Sequence, residues 1–244
     1  MDQAITTLQN WIDESSSTVF FGGAGVSTES GIPDFRSVDG LYSQKYDYPP
    51  ETILSHSFFV NNPGEFYKFY RDKILIEGAK PNPAHLKLAE LERAGKLKAV
   101  VTQNIDGLHQ AAGSKAVFEL HGSTLRNYCP RCGRKFPTSV IANAKGLPYC
   151  DNGDCRGIIR PDVVLYEEAL DEDVIAGAVS AIRQADMLII GGTSLVVYPA
   201  AGLINYYRGK RLVLINKSQT SADRMANLTI NAPIGEVFSQ IQVR

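Results

Sequence analysis

Four cysteines are the residues of this 244-residue chain whose spacing most directly indicates chemistry. All four lie within 27 consecutive residues, in the pattern C-x2-C, 17 intervening residues and C-x4-C: Cys129, Cys132, Cys150 and Cys155. Four thiolates at this spacing suit a tetrahedral zinc ion, which would be structural because no coordination position stays open for a substrate. Two disulfides, four unrelated thiols and an iron site are the alternatives, and a reducing compartment favours zinc over disulfides.

A glycine-rich loop, Gly23-Ala-Gly-Val-Ser27, follows a short apolar run near the start of the chain. Backbone N–H groups of such a loop can receive a pyrophosphate. The dinucleotide fingerprint G-x-G-x-x-G fails because Thr28 occupies its sixth position, and no strand with an acidic end follows about 20 residues later. An ordinary hydride-transferring dehydrogenase is therefore disfavoured, and a purely structural glycine turn stays an alternative.

His121 is the histidine whose position most favours catalysis, because it ends an apolar run and would face the ligand cleft of a parallel sheet. His56 and His85 lie near the starts of predicted helices and are interpreted as caps or surface residues, and His109 as a supporting residue of the site. No G-x-S-x-G sequence accompanies them, so acyl-enzyme chemistry is not indicated.

Five short apolar runs without polar alternation predict strands of a parallel sheet covered by helices on both faces. They occupy residues 18–21, 97–101, 117–120, 187–190 and 212–215. Each run is followed by a polar or glycine-rich loop, and ligands of open α/β sheets bind at that edge. The predicted fold class is therefore α/β, a doubly wound, Rossmann-like parallel sheet whose loops converge on one site.

Helices are predicted between these strands from the spacing of apolar residues. They cover residues 3–14, 84–94, 171–185 and 234–241. For the second of them, Asn82 is the expected N-cap, Pro83 stands at the first helical position and Gly95 follows the end.

Two stretches do not fit the sheet and predict a small lobe. Residues 41–80 are rich in aromatic side chains, with helical spacing over 63–76, and indicate a helical insertion. Residues 125–159 contain the four cysteines and indicate a zinc-binding module. The remaining segments, 1–40, 81–124 and 160–244, are predicted to form the cofactor-binding domain.

Composition limits the partners. With 25 basic and 26 acidic residues the net charge is −1, which argues against direct nucleic-acid binding. Residues 1–17 contain no basic segment and do not form a signal peptide, and the most apolar stretch, 186–204, is interrupted by glycines and a proline. We therefore expect a cytoplasmic protein without a membrane partner.

Several motifs in a fixed order together resemble the sirtuins, the NAD-dependent protein deacylases, and specifically a minimal catalytic core of the bacterial type. Each motif is modest alone, but their order is specific, and the resemblance covers nearly the whole chain. The motifs are G-A-G-V-S-T-E-S-G-I-P-D-F-R (23–36), T-Q-N-I-D (102–106), L-H-G (120–122), the four cysteines, R-P-D-V-V (160–164), G-T-S-L (192–195) and I-N (215–216).

The resemblance implies the roles of individual residues. His121 would act as general base, and Asn104 and Asp106 would assist catalysis. NAD would be a consumed cosubstrate, and its expected contacts are Ala24, Thr28, Phe35, Arg36, Gln103, Ile105, Asp106, His121, Thr193, Ser194, Asn216 and Ile234. One structural zinc ion would be held by the four cysteines.

The activity implied is NAD-dependent protein lysine deacetylation, which transfers the acyl group from lysine to ADP-ribose and releases nicotinamide and O-acetyl-ADP-ribose. The acetylated-lysine protein or peptide would bind as an added strand near Val164, and the chain would act as a monomer. Mono-ADP-ribosyl transfer and a non-catalytic module that senses NAD or acyl-lysine are the alternatives.

Two departures from the family pattern concern the substrate. The sequence Leu165-Tyr-Glu-Glu168 replaces the usual Phe-Gly-Glu, so Glu167 stands where a glycine is usual. Desuccinylase-type members place an arginine three residues after a tyrosine, whereas Arg71 follows Tyr67 by four. One residue turns a helical side chain by about 100°, and we therefore expect neutral acyl groups such as acetyl.

Overall fold

The computed structural model describes residues 2–35, 40 and 48–244 of the chain. Its strands are β1 (Thr18–Gly22), β2 (Leu97–Thr102), β3 (Val117–Glu119), β4 (Gly122–Tyr128), β5 (Lys135–Phe136), β6 (Arg160–Val163), β7 (Met187–Gly191), β8 (Arg211–Ile215) and β9 (Leu228–Ile230). Six of them form a parallel sheet in the order β3-β2-β1-β7-β8-β9, and the other three an antiparallel sheet in the order β5-β4-β6.

The helices surround the larger sheet or belong to the smaller lobe. They are α1 (Asp2–Glu14), α2 (Pro50–Ile53), α3 (His56–Asn61), α4 (Pro63–Phe69), α5 (Pro83–Arg93), α6 (Leu108–Ala111), α7 (Thr138–Ala142), α8 (Glu172–Gln184) and α9 (Ile234–Ser239). A π-helical turn, Tyr70–Ile74, continues α4, and 3₁₀ turns cover Ala24–Val26, Thr28–Ser30, Ala200–Tyr206 and Ser221–Arg224. Among the described residues no helix is both long and apolar enough to cross a membrane.

The predicted doubly wound parallel sheet is confirmed. Strand β1 lies between β2 and β7, and its last residue, Gly22, is in register with the last residue of each neighbour, Thr102 and Gly191. The chain extends the sheet in one direction through β2 and β3 and in the other through β7 to β9. The order therefore reverses at β1, which creates a crevice at the carboxyl ends of β1 and its neighbours.

Helices on both faces explain why the strands lack polar alternation. Phe20 packs in a core formed with α1, α5 and α9, whereas Val19 and Phe21 on the same strand pack in a second core with α8. Because both faces of the strand are buried, every side chain of β1 has to be compatible with a dry interior.

The cap predicted for α5 is also confirmed. The Oδ1 atom of Asn82 accepts a hydrogen bond from the Ala84 N–H at 3.0 Å, and Pro83 is the first helical residue. The helical spacing predicted over 63–76 corresponds to α4 and the π-helical turn, which together end at Ile74. Strand β9 was not predicted, because only three residues form it and two of them are half-buried.

A third core holds the smaller lobe together. It joins Phe66, Tyr67 and Tyr70 of the helical segment to Cys129 and Cys150. The helical and cysteine-containing segments thus share one apolar interior. The division of the chain at residues 41–80 and 125–159 stays a prediction, and residues 41–47 lie outside those that the structure describes.

Candidate active site

Two glycine-containing loops touch through their backbones at the carboxyl ends of β1 and β7. The Gly25 N–H donates to the Gly192 carbonyl oxygen at 2.8 Å, and the Gly23 N–H donates to that of Gly191 at 3.2 Å. A Cβ atom on Gly25 would lie 2.9 Å from the Gly192 Cα, so no side chain fits there. This close approach, the glycine cradle, lies at the switch point of the parallel sheet, where ligands of open α/β folds bind.

Ser27 links two polar residues that follow β2. Its hydroxyl donates to Asp106 Oδ2 at 2.6 Å and accepts a hydrogen bond from Asn104 Nδ2 at 3.1 Å. The other carboxylate oxygen of Asp106 accepts from the Leu108 N–H at 2.9 Å. Burial raises the pKa of Asp106, and the hydrogen bonds from Ser27 and Leu108 oppose that rise. The carboxylate is thus fixed in a partly dry site, where it can orient a ligand amide.

Ser27 is the residue of this cluster that the sequence analysis did not select. It is 1% exposed and lies 79 residues from Asp106 along the chain. The available signal was its place in the glycine-rich loop, since loop hydroxyls at a parallel-sheet edge face the ligand crevice.

His121 is oriented by the backbone of the neighbouring strand. Its Nδ1 lies 2.9 Å from the Gln103 carbonyl oxygen. A carbonyl oxygen only accepts hydrogen bonds, so Nδ1 carries the proton and Nε2 keeps a free lone pair. Burial lowers the pKa of His121, and the bond to Gln103 partly offsets this effect. The imidazole is consequently neutral at pH 7, and its Nε2 can accept a proton.

A backbone constraint explains the glycine after this histidine. Gly122 has a φ of +75°, and a Cβ atom there would lie 2.1 Å from the Asp162 carbonyl oxygen. The chain turns at Gly122 from the parallel sheet into β4, which pairs with β6. The Val164 N–H then donates to the His121 carbonyl oxygen at 3.0 Å, so the end of β6 lies beside the histidine.

Thr193 and Asn216 join the ends of β7 and β8. The Thr193 N–H donates to Asn216 Oδ1 at 3.0 Å, and Asn216 Nδ2 donates to the Thr193 carbonyl oxygen at 2.9 Å. Gln103 Nε2 reaches Thr193 Oγ1 at 3.4 Å from the end of β2. Hydrogen bonds therefore connect the loops after five strands, and the convergence predicted from the sequence is observed.

The other candidate residues are placed less centrally. Ala24, Thr28 and Phe35 are half-buried in the segment after β1, Ile105 is half-buried after β2, and Ser194 is exposed after β7. Ile234 is buried at the start of α9, where its side chain covers Gly191. Arg36 lies outside the described residues.

The four cysteines meet in the smaller lobe. Their sulfur atoms all lie within 4.8 Å of one another, with 3.6 Å between Cys129 and Cys155 and 3.7 Å between Cys132 and Cys150. These separations are too long for a disulfide bond. Four sulfurs placed tetrahedrally at about 2.3 Å from zinc would lie about 3.8 Å apart. The cluster therefore fits one zinc ion with four protein ligands.

This combination defines a class of protein. An open parallel sheet with a glycine cradle, a fixed carboxylate and an oriented neutral histidine at its switch point is a dinucleotide-binding α/β enzyme. The glycine-rich loop lacks the fingerprint G-x-G-x-x-G, which distinguishes the protein from ordinary dehydrogenases.

Comparison with known proteins narrows the class to a family. The Sir2 family model matches residues 23–199. Proteins named NAD-dependent protein deacetylase are 61% identical over 244 residues in Clostridium perfringens (strain 13 / Type A), covering 99% of both chains, and 58% identical over 240 residues in Clostridium acetobutylicum, covering 97% of both. The chain belongs to the Sir2 family.

Solved structures agree with this assignment. A Sir2 protein with a deacetylated p53 peptide and 3′-O-acetyl-ADP-ribose has a TM-score of 0.89 at 40% identity, over 97% of this chain and 96% of that one. A Sir2 protein with a p53 peptide and NAD⁺ has a TM-score of 0.86 at 41% identity, over the same shares of the two chains.

Proposed function

We propose that this chain is an NAD-dependent protein lysine deacetylase, which moves the acyl group from lysine to ADP-ribose and releases nicotinamide and O-acetyl-ADP-ribose. The observation that carries the proposal is the orientation of His121 by the Gln103 carbonyl oxygen, at the edge where the glycine cradle and Asp106 meet. The activity of the similar clostridial proteins supports it.

The residues at the strand ends suit NAD. The loop with Ala24, Thr28, Phe35 and Arg36 is proposed to cover the cofactor. Bound there, NAD supplies the electrophilic ribose carbon that the acyl oxygen attacks. The nicotinamide and its ribose are proposed to contact Gln103, Ile105, Asp106 and His121. The phosphates, the second ribose and the adenine are proposed to contact Thr193, Ser194, Asn216 and Ile234.

Three side chains have distinct proposed tasks. Asp106, held by Ser27, accepts a hydrogen bond from the carboxamide of nicotinamide. Asn104 is fixed by Ser27 and by its own backbone N–H, which donates to Thr102 Oγ1 at 3.0 Å, and it orients the ribose. His121 Nε2 takes a proton from a ribose hydroxyl, while the Gln103 carbonyl stabilises the resulting imidazolium through Nδ1.

The acetylated-lysine peptide is proposed to bind by strand addition near Val164. Strand β6 lies at an edge of the smaller sheet, where it pairs only with β4 among the described strands. The Val164 N–H donates to the His121 carbonyl oxygen on the edge of β6 that faces β4, so a peptide on the opposite, open edge would lie one strand away from the histidine backbone.

The zinc ion is proposed to be structural. Cys129 and Cys150 are fully buried in the core of the smaller lobe, and four protein ligands leave no position for a substrate. We further propose that the chain acts as a monomer, since one chain supplies every polar group of the site. A cytoplasmic location is proposed because reduced thiols are stable there.

The test is a reaction of the protein with NAD and a peptide that contains one acetyl-lysine. Mass spectrometry should detect O-acetyl-ADP-ribose and one nicotinamide for each lysine released. A reaction in which labelled NAD ends covalently on protein would instead indicate mono-ADP-ribosyl transfer. Binding of NAD with no release of nicotinamide would indicate a non-catalytic module.

A further inference from the structure

The residue that departs from the usual glycine, Glu167, has an unusual backbone conformation. Its φ is +76°, in the left-handed region where side chains other than glycine are strained. It lies just beyond β6, in the four-residue segment Leu165–Glu168. A strained residue of this kind persists only where the surrounding structure holds it.

The side chain of Glu167 is held at the start of α3. One carboxylate oxygen accepts a hydrogen bond from the Ser57 N–H at 2.9 Å, and the other accepts from Ser57 Oγ at 3.0 Å. The Ser57 N–H is one of the helix-terminal donors that lack a partner within the helix, and Ser55 already caps that of Phe58. The carboxylate of Glu167 is therefore ordered although the residue is exposed.

The neighbouring backbone fixes the same segment. The Tyr166 N–H donates to the Leu54 carbonyl oxygen at 2.9 Å, and the His56 N–H donates to that of Tyr166 at 3.0 Å. These two bonds extend the pairing beyond the end of β6 and hold the segment against the start of α3. These bonds, both made by Tyr166, fix the position of Glu167 relative to the end of β6.

The charges of Glu167 and Glu168 differ in how they are balanced. Glu168 forms two hydrogen bonds with the guanidinium of Arg160, at 2.8 and 3.0 Å, and another with His56 at 2.8 Å. Glu167 forms no ion pair among the described residues, and its two oxygens accept hydrogen bonds from Ser57 instead. A fixed negative charge that no cationic side chain pairs with in the described part of the chain therefore stands three residues beyond Val164.

We propose that Glu167 is a specificity-determining residue that favours acetyl-lysine segments with a lysine or arginine side chain beside the modified residue. This inference rests on the proposed peptide site at the edge of β6. A cation about 7 Å from the carboxylate in water gains about threefold in affinity, and an anion loses as much, before screening. Salt weakens the effect because the group is exposed.

The test measures the binding of peptides that contain one acetyl-lysine among alanines. In each peptide, one of the three positions before or the three positions after the acetyl-lysine carries either lysine or glutamate. Fluorescence anisotropy gives the Kd with the wild-type protein. At low ionic strength at least one position should show a Kd about fivefold lower with lysine than with glutamate, and the ratio should approach one in about 0.5 M salt. Equal Kd values at every position would overturn the proposal.

Matched variants isolate the charge. Glu167→Gln keeps the length and can still bond Ser57, since its amide has an acceptor and a donor, and it should abolish the preference. Glu77→Gln removes the charge of another exposed carboxylate and should leave the preference for lysine-containing peptides unchanged. Glu167→Gly removes both the charge and the contact with Ser57. Loss of the preference in Glu167→Gly but not in Glu167→Gln would contradict a charge effect.

The anisotropy readout does not depend on turnover. The protein could bind the acetylated peptides in a way that depends on Glu167 and yet show no NAD-dependent deacetylation. That result would contradict the proposed activity and still support this inference. Deacetylation at equal rates for the lysine- and glutamate-containing peptides, with equal Kd values, would contradict this inference alone.

Discussion

The Nδ1 atom of His121 lies 2.9 Å from the carbonyl oxygen of Gln103, the residue that directly follows β2. The same strand fixes the histidine backbone, since the Leu120 N–H donates to the Thr102 carbonyl oxygen at 2.9 Å. The tautomer of the imidazole is therefore set by the pairing of β2 with β3 rather than by a carboxylate. Such a histidine is basic at Nε2 without a neighbouring negative charge.

The pH dependence of the reaction follows from this environment. Burial lowers the pKa of His121 below its usual 6.5, so the neutral, proton-accepting form predominates at pH 7. We expect kcat/KM for the acetylated peptide to be constant between pH 7 and 8 and to fall only below about pH 6.5. A pH–rate profile checks this, and an acidic limb centred above pH 7 would show that the histidine is not the controlling base.

A buried pair of histidines predicts sensitivity to acid. The rings of His85 and His109 lie 4.7 Å apart, and three of their four nitrogens have no hydrogen-bond partner among the described residues. Burial lowers the pKa of His85 to about 4 and that of His109 to about 3. Both are neutral in the folded protein, whereas the unfolded chain protonates them below about pH 6.5.

The contribution of His85 and His109 to the free energy of unfolding is thus present above pH 6.5 and is lost as the pH falls toward 4. Each histidine should lower the free energy of unfolding by up to about 1.4 kcal/mol per pH unit in that window. Urea unfolding at pH 8, 6.5 and 5 measures the slope. His109→Phe should reduce the slope by about a third, because His85 and His121, whose pKa values burial also lowers, remain. An unchanged slope would contradict the assignment.

A second acid-sensitive contact lies near the peptide edge. Burial opposes ionisation of Glu168, but hydrogen bonds from Arg160, the Leu165 N–H and His56 lower its pKa to about 2. This carboxylate therefore stabilises the fold above about pH 4.5 and loses that effect as the pH falls toward 2. Glu168→Gln should flatten the pH dependence of unfolding below 4.5 and leave the slope between pH 5 and 6.5 unchanged, which the same titrations measure. A change of slope confined to the range between pH 5 and 6.5 would disprove this explanation.

Removal of zinc should destabilise the smaller lobe. Cys129 and Cys150 belong to the same apolar core as Phe66 and Tyr67, so loss of the metal would remove the ion that joins the two cysteine-containing turns to that core. We expect one zinc ion per chain by elemental analysis and a fall in Tm of more than about 5 °C after chelation, reversed by added Zn²⁺. Cys150→Ser should reproduce the fall. A chelated protein with an unchanged Tm would refute a structural metal.

The acyl group is expected to be neutral. Arg71 donates to the Gly146 carbonyl oxygen at 3.1 Å and lies over the ring of Tyr67, whose hydroxyl donates to the Ile159 carbonyl oxygen. Both groups that could bind an acyl carboxylate are thus held in other contacts, and Arg71 would have to leave them to bind one. The kcat/KM for an acetylated peptide should exceed that for the succinylated peptide by at least about tenfold. Equal values would mean that Arg71 leaves its contacts when substrate binds.

Much of this architecture could be predicted because local sequence carries it. Apolar runs buried on two faces gave the central strands, and the pattern Asn82-Pro83 gave the start of α5. The cysteine spacing predicted a metal site because all four ligands come from one short segment. In these cases the physical cause acts within a few residues, so the sequence shows it directly.

Other features depend on contacts between distant segments. The bond of Ser27 to Asp106 spans 79 residues, so the glycine-rich loop indicates that Ser27 lies at the ligand edge but not which residue it bonds. The antiparallel pairing of β4 with β6 likewise requires the intervening module to bring them together. The positive φ of Glu167 becomes understandable only with Ser57, 110 residues earlier.

The most direct test of the account replaces the oriented base. His121→Ala should bind NAD within about threefold of the wild-type Kd by calorimetry and keep its zinc and circular dichroism spectrum, because among the described residues its side chain makes only the hydrogen bond to the Gln103 carbonyl oxygen. Its kcat for deacetylation should fall about 1,000-fold, the usual contribution of a general base. A variant that retains kcat within about tenfold of wild type would contradict the central claim that Nε2 of His121 accepts the proton.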